Sequence, residues 1–243
     1  MLFGGNRVLF GPEPGRDVLL DDTWEWDGTG WKQSPASGPP ARTEAAACFD
    51  DRRGRVVLFG GWRWTDGKRQ RLGDTWEYDG QHWERVSDSG PEGRSGAALA
   101  FDPRRGATVL VGGSAGKAPL ADAWEWRGST WEGPFDGPGA RFNPALCSDA
   151  RRGELVCFGG WNGSVRLADT RVHRGDRWEP ITAGAEPSPR NHTAMTYDEG
   201  RGRVLLYGGH DGERVLGDLW SFEDAQWKRL EHTEPLRRID NGH

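Results

Sequence analysis

The sequence predicts an all-β protein, a β-propeller of four-stranded antiparallel blades, on three observations. A Trp that follows a turn dipeptide recurs at Trp31, Trp83, Trp131, Trp178 and Trp227, with spacings of 52, 48, 47 and 49. Glycine pairs keep the same step at Gly4–Gly5, Gly60–Gly61, Gly112–Gly113, Gly159–Gly160 and Gly208–Gly209. Between these markers lie short apolar runs separated by turn signals, and no helix is needed to account for any of them. Two further positions share the register: Trp24, Trp76, Trp124, Arg171 and Trp220, and the arginines Arg42, Arg94, Arg141 and Arg190. Self-similarity at such a period marks a repeat architecture.

The second unit shows the logic of each element. Ala-Ala-Ala-Cys-Phe49 after Arg42 is an apolar first strand, ended by the turn Asp50-Asp-Arg-Arg-Gly54, which recurs as DPRRG, DARRG and DEGRG. Arg55-Val-Val-Leu-Phe59 is a β-branched second strand stopped by Gly60-Gly61. A variable loop precedes Asp74-Thr-Trp-Glu-Tyr78, whose alternation sets Trp76 and Tyr78 on one face and Thr75 and Glu77 on the other. Asp79-Gly80 signals a hairpin into a more polar fourth strand starting at Trp83. A fifty-residue meander cannot bury both faces alone, so copies must stack, and radial closure of such sheets gives a propeller.

The double glycine after the second strand, the third-strand aromatic and the fourth-strand Trp resemble the kelch repeat family over about residues 1–230. The resemblance implies one propeller domain over 1–236: a partial blade 1–38, blades of about 39–90, 91–137, 138–187 and 188–234, and a tail or truncated start of a further blade at 237–243. Blade four departs from the pattern, with Arg171 and His173 in place of third-strand aromatics. Residues 1–5 align with Val57–Gly61, so the first blade lacks an innermost strand, and the IDNGH tail is too polar to supply one. The expectation is an incomplete ring of about five blades, a fragment of a longer propeller.

Composition bounds the function. With 37 acids against 32 Lys plus Arg the net charge is −5, which argues against nucleic-acid partners. No apolar run reaches the roughly 20 residues of a membrane helix, so no membrane insertion is expected. Three cysteines without a CxxC pair make no disulfide framework and read as small buried hydrophobes. Arg outnumbers Lys 28 to 4, which suggests a GC-rich, bacterial coding sequence. The compartment stays open between cytoplasmic and, given a truncated N-terminus, exported.

Features present in every blade build the ring, and asymmetric ones are candidates for a site. The first two blades carry the longest loops between the second and third strands, 19 and 15 positions from glycine pair to Trp against 11 in the others. Such loops on a rigid scaffold carry recognition. The candidate ligand-binding residues are Trp62, Arg63, Trp64 and Arg69 in the cationic, aromatic loop, with Trp161, His192 and His210 nearby. To these are added Arg42, Arg94, Arg141 and Arg190, which form a cationic ring if their guanidinium groups point to the channel mouth and are scaffold if they pair with the repeated aspartates Asp74, Asp122, Asp169 and Asp218. The expected function is non-enzymatic binding of a protein, such as an acidic peptide, or of a glycan, with no cofactor and no metal. The alternative implied by the family is a carbohydrate-active enzyme resembling sialic-acid mutarotases or galactose oxidase. For the oxidase, Tyr78, Tyr197, Tyr207, Cys48 and Cys147 all fall in core slots.

Overall fold

The structure, a computed structural model, describes residues 1–7, 18–182 and 184–231. The proposed tail or further blade at 237–243 and the tip of the first long loop therefore lie outside the described residues. Among those described, every regular element is a strand. Strands β1 (Leu2–Asn6), β2 (Leu19–Trp26) and β3 (Trp31–Ser34) form a three-stranded blade 1. Blade 2 consists of β4 (Ala46–Asp50), β5 (Arg55–Phe59), β8 (Thr75–Tyr78) and β9 (Trp83–Ser87); between its second and third strands, β6 (Trp62–Thr65) and β7 (Lys68–Arg71) make a separate two-stranded ribbon. Blade 3 is β10 (Ser95–Asp102), β11 (Ala107–Ser114), β12 (Asp122–Trp126) and β13 (Trp131–Asp136). Blade 4 is β14 (Ala145–Asp149), β15 (Glu154–Phe158), β16 (Thr170–Arg174) and β17 (Arg177–Ile181). Blade 5 is β18 (Ala194–Asp198), β19 (Arg203–Tyr207), β20 (Leu219–Glu223) and β21 (Gln226–Leu230). All pairings are antiparallel, and the innermost strands β4, β10, β14 and β18 neighbour one another in sequence around the axis. This is the expected propeller of five blades, with three strands in the first among the described residues.

The core lies between blades, because each meander has two apolar faces and only a neighbour can cover them. Ala46 and Phe59 of blade 2 pack on Leu99, Leu110 and Trp131 of blade 3, and Phe158 and Val172 of blade 4 on Leu206, Phe222 and Trp227 of blade 5. Burying each such side chain contributes about 1.5–3 kcal/mol. The fourth-strand Trp ties a blade to the one before it: Nε1 of Trp83, Trp131 and Trp227 donates to Oγ1 of Thr23, Thr75 and Thr170 at 2.9, 2.8 and 2.8 Å. Blade 3 has Ala123 at that position, so Trp178 finds no such hydroxyl. With His173 also replacing an aromatic ring, a cavity of about 490 Å³ opens between blades 3 and 4. The His173 ring still meets that of Trp178 at 4.9 Å between centroids.

The glycine pairs allow a close approach. Gly61, Gly113 and Gly160 N–H groups donate to the carbonyls of Arg94, Arg141 and Arg190 of the following blade, each at 2.9 Å. The preceding glycine has positive φ (71° at Gly60, 64° at Gly112), and a Cβ there would stand 2.6 or 2.5 Å from the same carbonyl. Only glycine fits both conditions.

Candidate recognition face

The repeated arginines begin at the mouth of the ring but turn inward. Arg42 is 1% exposed; its Nη1 and Nη2 donate to Asp74 Oδ1 and Oδ2 at 2.7 and 2.9 Å, Nη1 also to Gly60 O, and Nε to Pro40 O. Arg94 on Asp122 and Arg190 on Asp218 repeat the fork at 2.6 and 2.9 Å. This corrects the cationic-ring expectation for Arg42, Arg94, Arg141 and Arg190: their forks are spent on scaffold carboxylates, because the inner-strand entry carries each side chain beneath the second strand. The aspartates respond. Burial alone raises the Asp218 pKa, but the bonds from Arg190 and Trp220 outweigh it and hold the group at about 2. Asp74, Asp122 and Asp169 are lowered by the same balance.

The ribbon β6–β7 is the element that the loop expectation missed. Asp66 and Gly67 both have positive φ, 51° and 71°, as a two-residue hairpin turn between paired Thr65 and Lys68 demands. Trp62 is buried and meets Trp64 edge-on at 5.6 Å between centroids. Arg69 lies over both rings, its Cζ 4.5 Å from the Trp62 centroid and 5.6 Å from that of Trp64. The indole faces expected to receive a sugar or cation therefore already hold a cation of the same chain. Arg63 Nε donates to Gln70 Oε1 at 3.2 Å, and Arg71 Nε donates to Ser114 O of blade 3 at 3.1 Å. Among the described residues no carboxylate pairs with Arg63, Lys68, Arg69 or Arg71. Beneath the ribbon a groove of about 320 Å³ is lined by Arg63, Gln70, Arg71, Trp76, Arg85 and Asp88. Asp88 is held by Arg85 and Asp74 by Arg42, which leaves Arg63 and Arg71 as the cations facing the groove that have no partner acid among the described residues.

A second cluster surrounds the mouth. The residue two positions after each arginine is left-handed: Glu44 (φ 54°), Gly96 (φ 63°), Asn143 (φ 49°) and His192 (φ 56°). Their backbones are linked from blade to blade, Gly96 N–H to Glu44 O at 3.0 Å, Asn143 N–H to Gly96 O at 2.7 Å and His192 N–H to Asn143 O at 3.1 Å. Asn143 Nδ2 donates to His192 Nε2 at 2.6 Å, which leaves the ring proton on Nδ1. Crowding by protein lowers the His192 pKa below the ordinary value, Glu44 acts in the opposite sense, and His210 and Arg166 add to the lowering. Arg166 Nη2 donates to His210 Nδ1 at 3.4 Å. Trp161 pairs by backbone with Phe142, whose ring meets His192 edge-on at 6.4 Å between centroids. So His192, His210 and Trp161 do converge, joined by Glu44 and Asn143, which the sequence reading omitted. The signal was available: of the positions in fixed register with the arginines, this one changes chemistry in every blade.

Among the described residues no group of three or more His, Cys, Asp or Glu side chains is arranged to hold a metal ion. Burial pushes the thiols of Cys48 and Cys147 up to about 12, in keeping with core slots.

No family model matches the chain. Among curated proteins it is similar to the dynein regulatory complex subunit 7 of Chlamydomonas reinhardtii, 32% identical over 121 residues that make up 46% of this chain and 10% of that protein. The chain thus spans about a tenth of the curated relative it matches. Among solved structures it superposes on YjhT with a TM-score of 0.67 at 14% identity, covering 94% of this chain and 80% of the other. At that identity the likeness shows the fold, a kelch-like β-propeller.

Proposed function

We propose that this chain is a recognition module whose ribbon β6–β7 and the groove beneath it bind an acidic segment of a protein partner. The observation that supports this reading is the set of Arg63, Lys68 and Arg71, which pair with no carboxylate among the described residues, on a protruding ribbon in a chain of net charge −5. A carboxylate entering between Arg63 and Arg71 receives charge-assisted hydrogen bonds, while Arg69 stiffens the platform from its place on the tryptophans. A protein ligand is favoured over a glycan because the indole faces best placed for a sugar are covered by Arg69, and because the curated relative is by its name a subunit of a multiprotein complex.

Isothermal titration with a glutamate-rich peptide and with a sialylated glycan, at low and high salt, tests the proposal. The peptide is expected to bind, more weakly as salt rises. An Arg63→Ala, Lys68→Ala variant should lose about tenfold or more, the equivalent of about 1.4 kcal/mol. Arg69 is left intact because removing it would bare Trp62. Equal binding by the variant would contradict the proposal, and binding of the glycan alone would assign the face to carbohydrate.

A second reading rests on the Asn143–His192 pair with Glu44 at the mouth: a carbohydrate-active site in which His192 moves a proton. Polarimetry of sugar anomerisation by the wild type and by His192→Gln tests it; no acceleration by the wild type counts against it.

A further inference from the structure

One internal interface lacks three groups that the others share. The fourth-strand Trp of a blade meets a Phe from the second strand of the preceding blade: Phe3 stands 5.2 Å from Trp83, Phe59 5.2 Å from Trp131 and Phe158 5.3 Å from Trp227, between ring centroids. The same Trp donates to a Thr hydroxyl of that blade and packs on a ring of its own third strand, Tyr78, Trp126 or Phe222. Trp178 of blade 4 faces blade 3, where Val111 replaces the Phe and Ala123 the Thr, and its own third strand offers only the smaller His173 ring. A ring and a hydroxyl are thus missing from one place, and the cavity of about 490 Å³ found there is lined by Val109, Ala123, Phe135, His173 and Trp178.

We propose that this cavity binds a small neutral phenol, its ring against Phe135 and Trp178 and its oxygen accepting from Trp178 Nε1. The volume lies within the roughly 300–1,000 Å³ of small-molecule sites. Among the described residues Trp178 Nε1 has no acceptor. Arg105 Nη1 donates to His173 Nδ1 at 2.7 Å, which leaves the ring proton on Nε2, a second donor on the cavity wall. Burial and then the Arg105 charge lower the His173 pKa, so the ring is neutral at pH 7 and brings no positive charge. The wall also carries Glu125, Glu132, Asp136 and Asp176 against Arg105 and Arg127, a balance that disfavours an anion. The charges thus select a phenol over a benzoate, and the indole donor selects it over toluene. The cavity lies between blades 3 and 4, apart from the ribbon of blade 2, so it stands or falls independently of peptide recognition there.

The test is a titration of the tryptophan-labelled chain with p-cresol, read from the indole N–H resonances, with a Trp178→Phe spectrum to assign the Trp178 signal. That signal is expected to move downfield, while those of Trp83, Trp131 and Trp227, already bonded to Thr hydroxyls, stay in place. Toluene should bind about two- to tenfold more weakly, the worth of one hydrogen bond, and benzoate should leave the signal where it is. Ala123→Thr, which restores the hydroxyl present at Thr75 and Thr170, should raise Tm and weaken p-cresol about tenfold or more. Phe135→Ser, at an exposed position, should weaken p-cresol without lowering Tm, and keeps the test decisive if the new Thr does not seat. A Trp178 signal that p-cresol does not move overturns the inference. So does unchanged p-cresol affinity in both variants, or benzoate binding as well as p-cresol. Movement with a tyrosine-bearing peptide but not with p-cresol assigns the cavity to a protein partner and overturns it equally.

Discussion

Arg171 Nε donates to Asp169 Oδ2 at 2.8 Å, in the place where an indole donates to the same aspartate in the other blades: Trp24 to Asp22, Trp76 to Asp74, Trp124 to Asp122 and Trp220 to Asp218. The hydrogen bond is kept while the ring volume is lost. Two guanidinium groups then share one carboxylate, and Arg141 stands 3.5 and 3.3 Å from Asp169 where its counterparts stand at 2.6–2.9 Å. Arg171→Trp should therefore tighten the Arg141 fork and restore the ring that the other blades carry at this position. The expected gain is about 1 kcal/mol, a rise in Tm of about 2–4 °C by calorimetry; a fall would show that the indole does not fit.

Removing one member of a buried fork leaves an uncompensated charge. Arg42→Met should cost about 3–5 kcal/mol in urea unfolding, because Asp74 is left buried beside apolar surface. Adding Asp74→Asn should restore part of that loss. A double variant as unstable as the single one would mean that the carboxylate is not what suffers.

The fork aspartates also set the acid limit. Each has a folded pKa below its unfolded value, about 2 for Asp218 against 3.8, so its contribution is fully present above about pH 4–5 and lost as pH falls toward 2. His192 works in the same direction at higher pH. Its lowered pKa means that folding favours the neutral ring, so stability declines as pH drops below about 6.5. His173, whose pKa is also lowered, first by burial and then by Arg105, adds to the same window. Denaturant midpoints measured from pH 8 to 2 should therefore show a shallow step that His192→Gln reduces and a steeper fall below pH 4 that it does not change.

Gly96 makes room for the mouth cluster. A Cβ there would lie 2.3 Å from Phe142 Cε2 and 2.7 Å from Asn143 Oδ1, at a φ of 63°. Gly96→Ala should destabilise by roughly 1–3 kcal/mol. It should also shift the His192 imidazole resonances, because Asn143 is displaced; unchanged His192 spectra would detach the cluster from the glycine.

Most of the architecture is written in the sequence because it repeats: Trp83, Gly60 and Arg42 each have counterparts fifty residues on, and a shared register needs no knowledge of packing. Even the Arg–Asp forks were readable as one of two options, since Asp74 and Arg42 recur together. Which option holds depends on whether the guanidinium turns under the sheet, and charge alone does not show that. The ribbon had a visible signal in Asp66-Gly67, masked by a tract rich enough in Arg to read as an irregular loop. Glu44 and Asn143 escaped notice because positions in register with the arginines were read as scaffold, and their changing chemistry from blade to blade was not weighed.

The most direct test of recognition by the cationic ribbon is a hydrogen-exchange footprint of the chain saturated with a glutamate-rich peptide. Protection is predicted over Trp62–Arg71 and at the blade 3 loop around Ser114, where Arg71 rests. Protection confined to the opposite turns, at Asp51, Pro103, Ala150 and Glu199, with none on the ribbon, would contradict it.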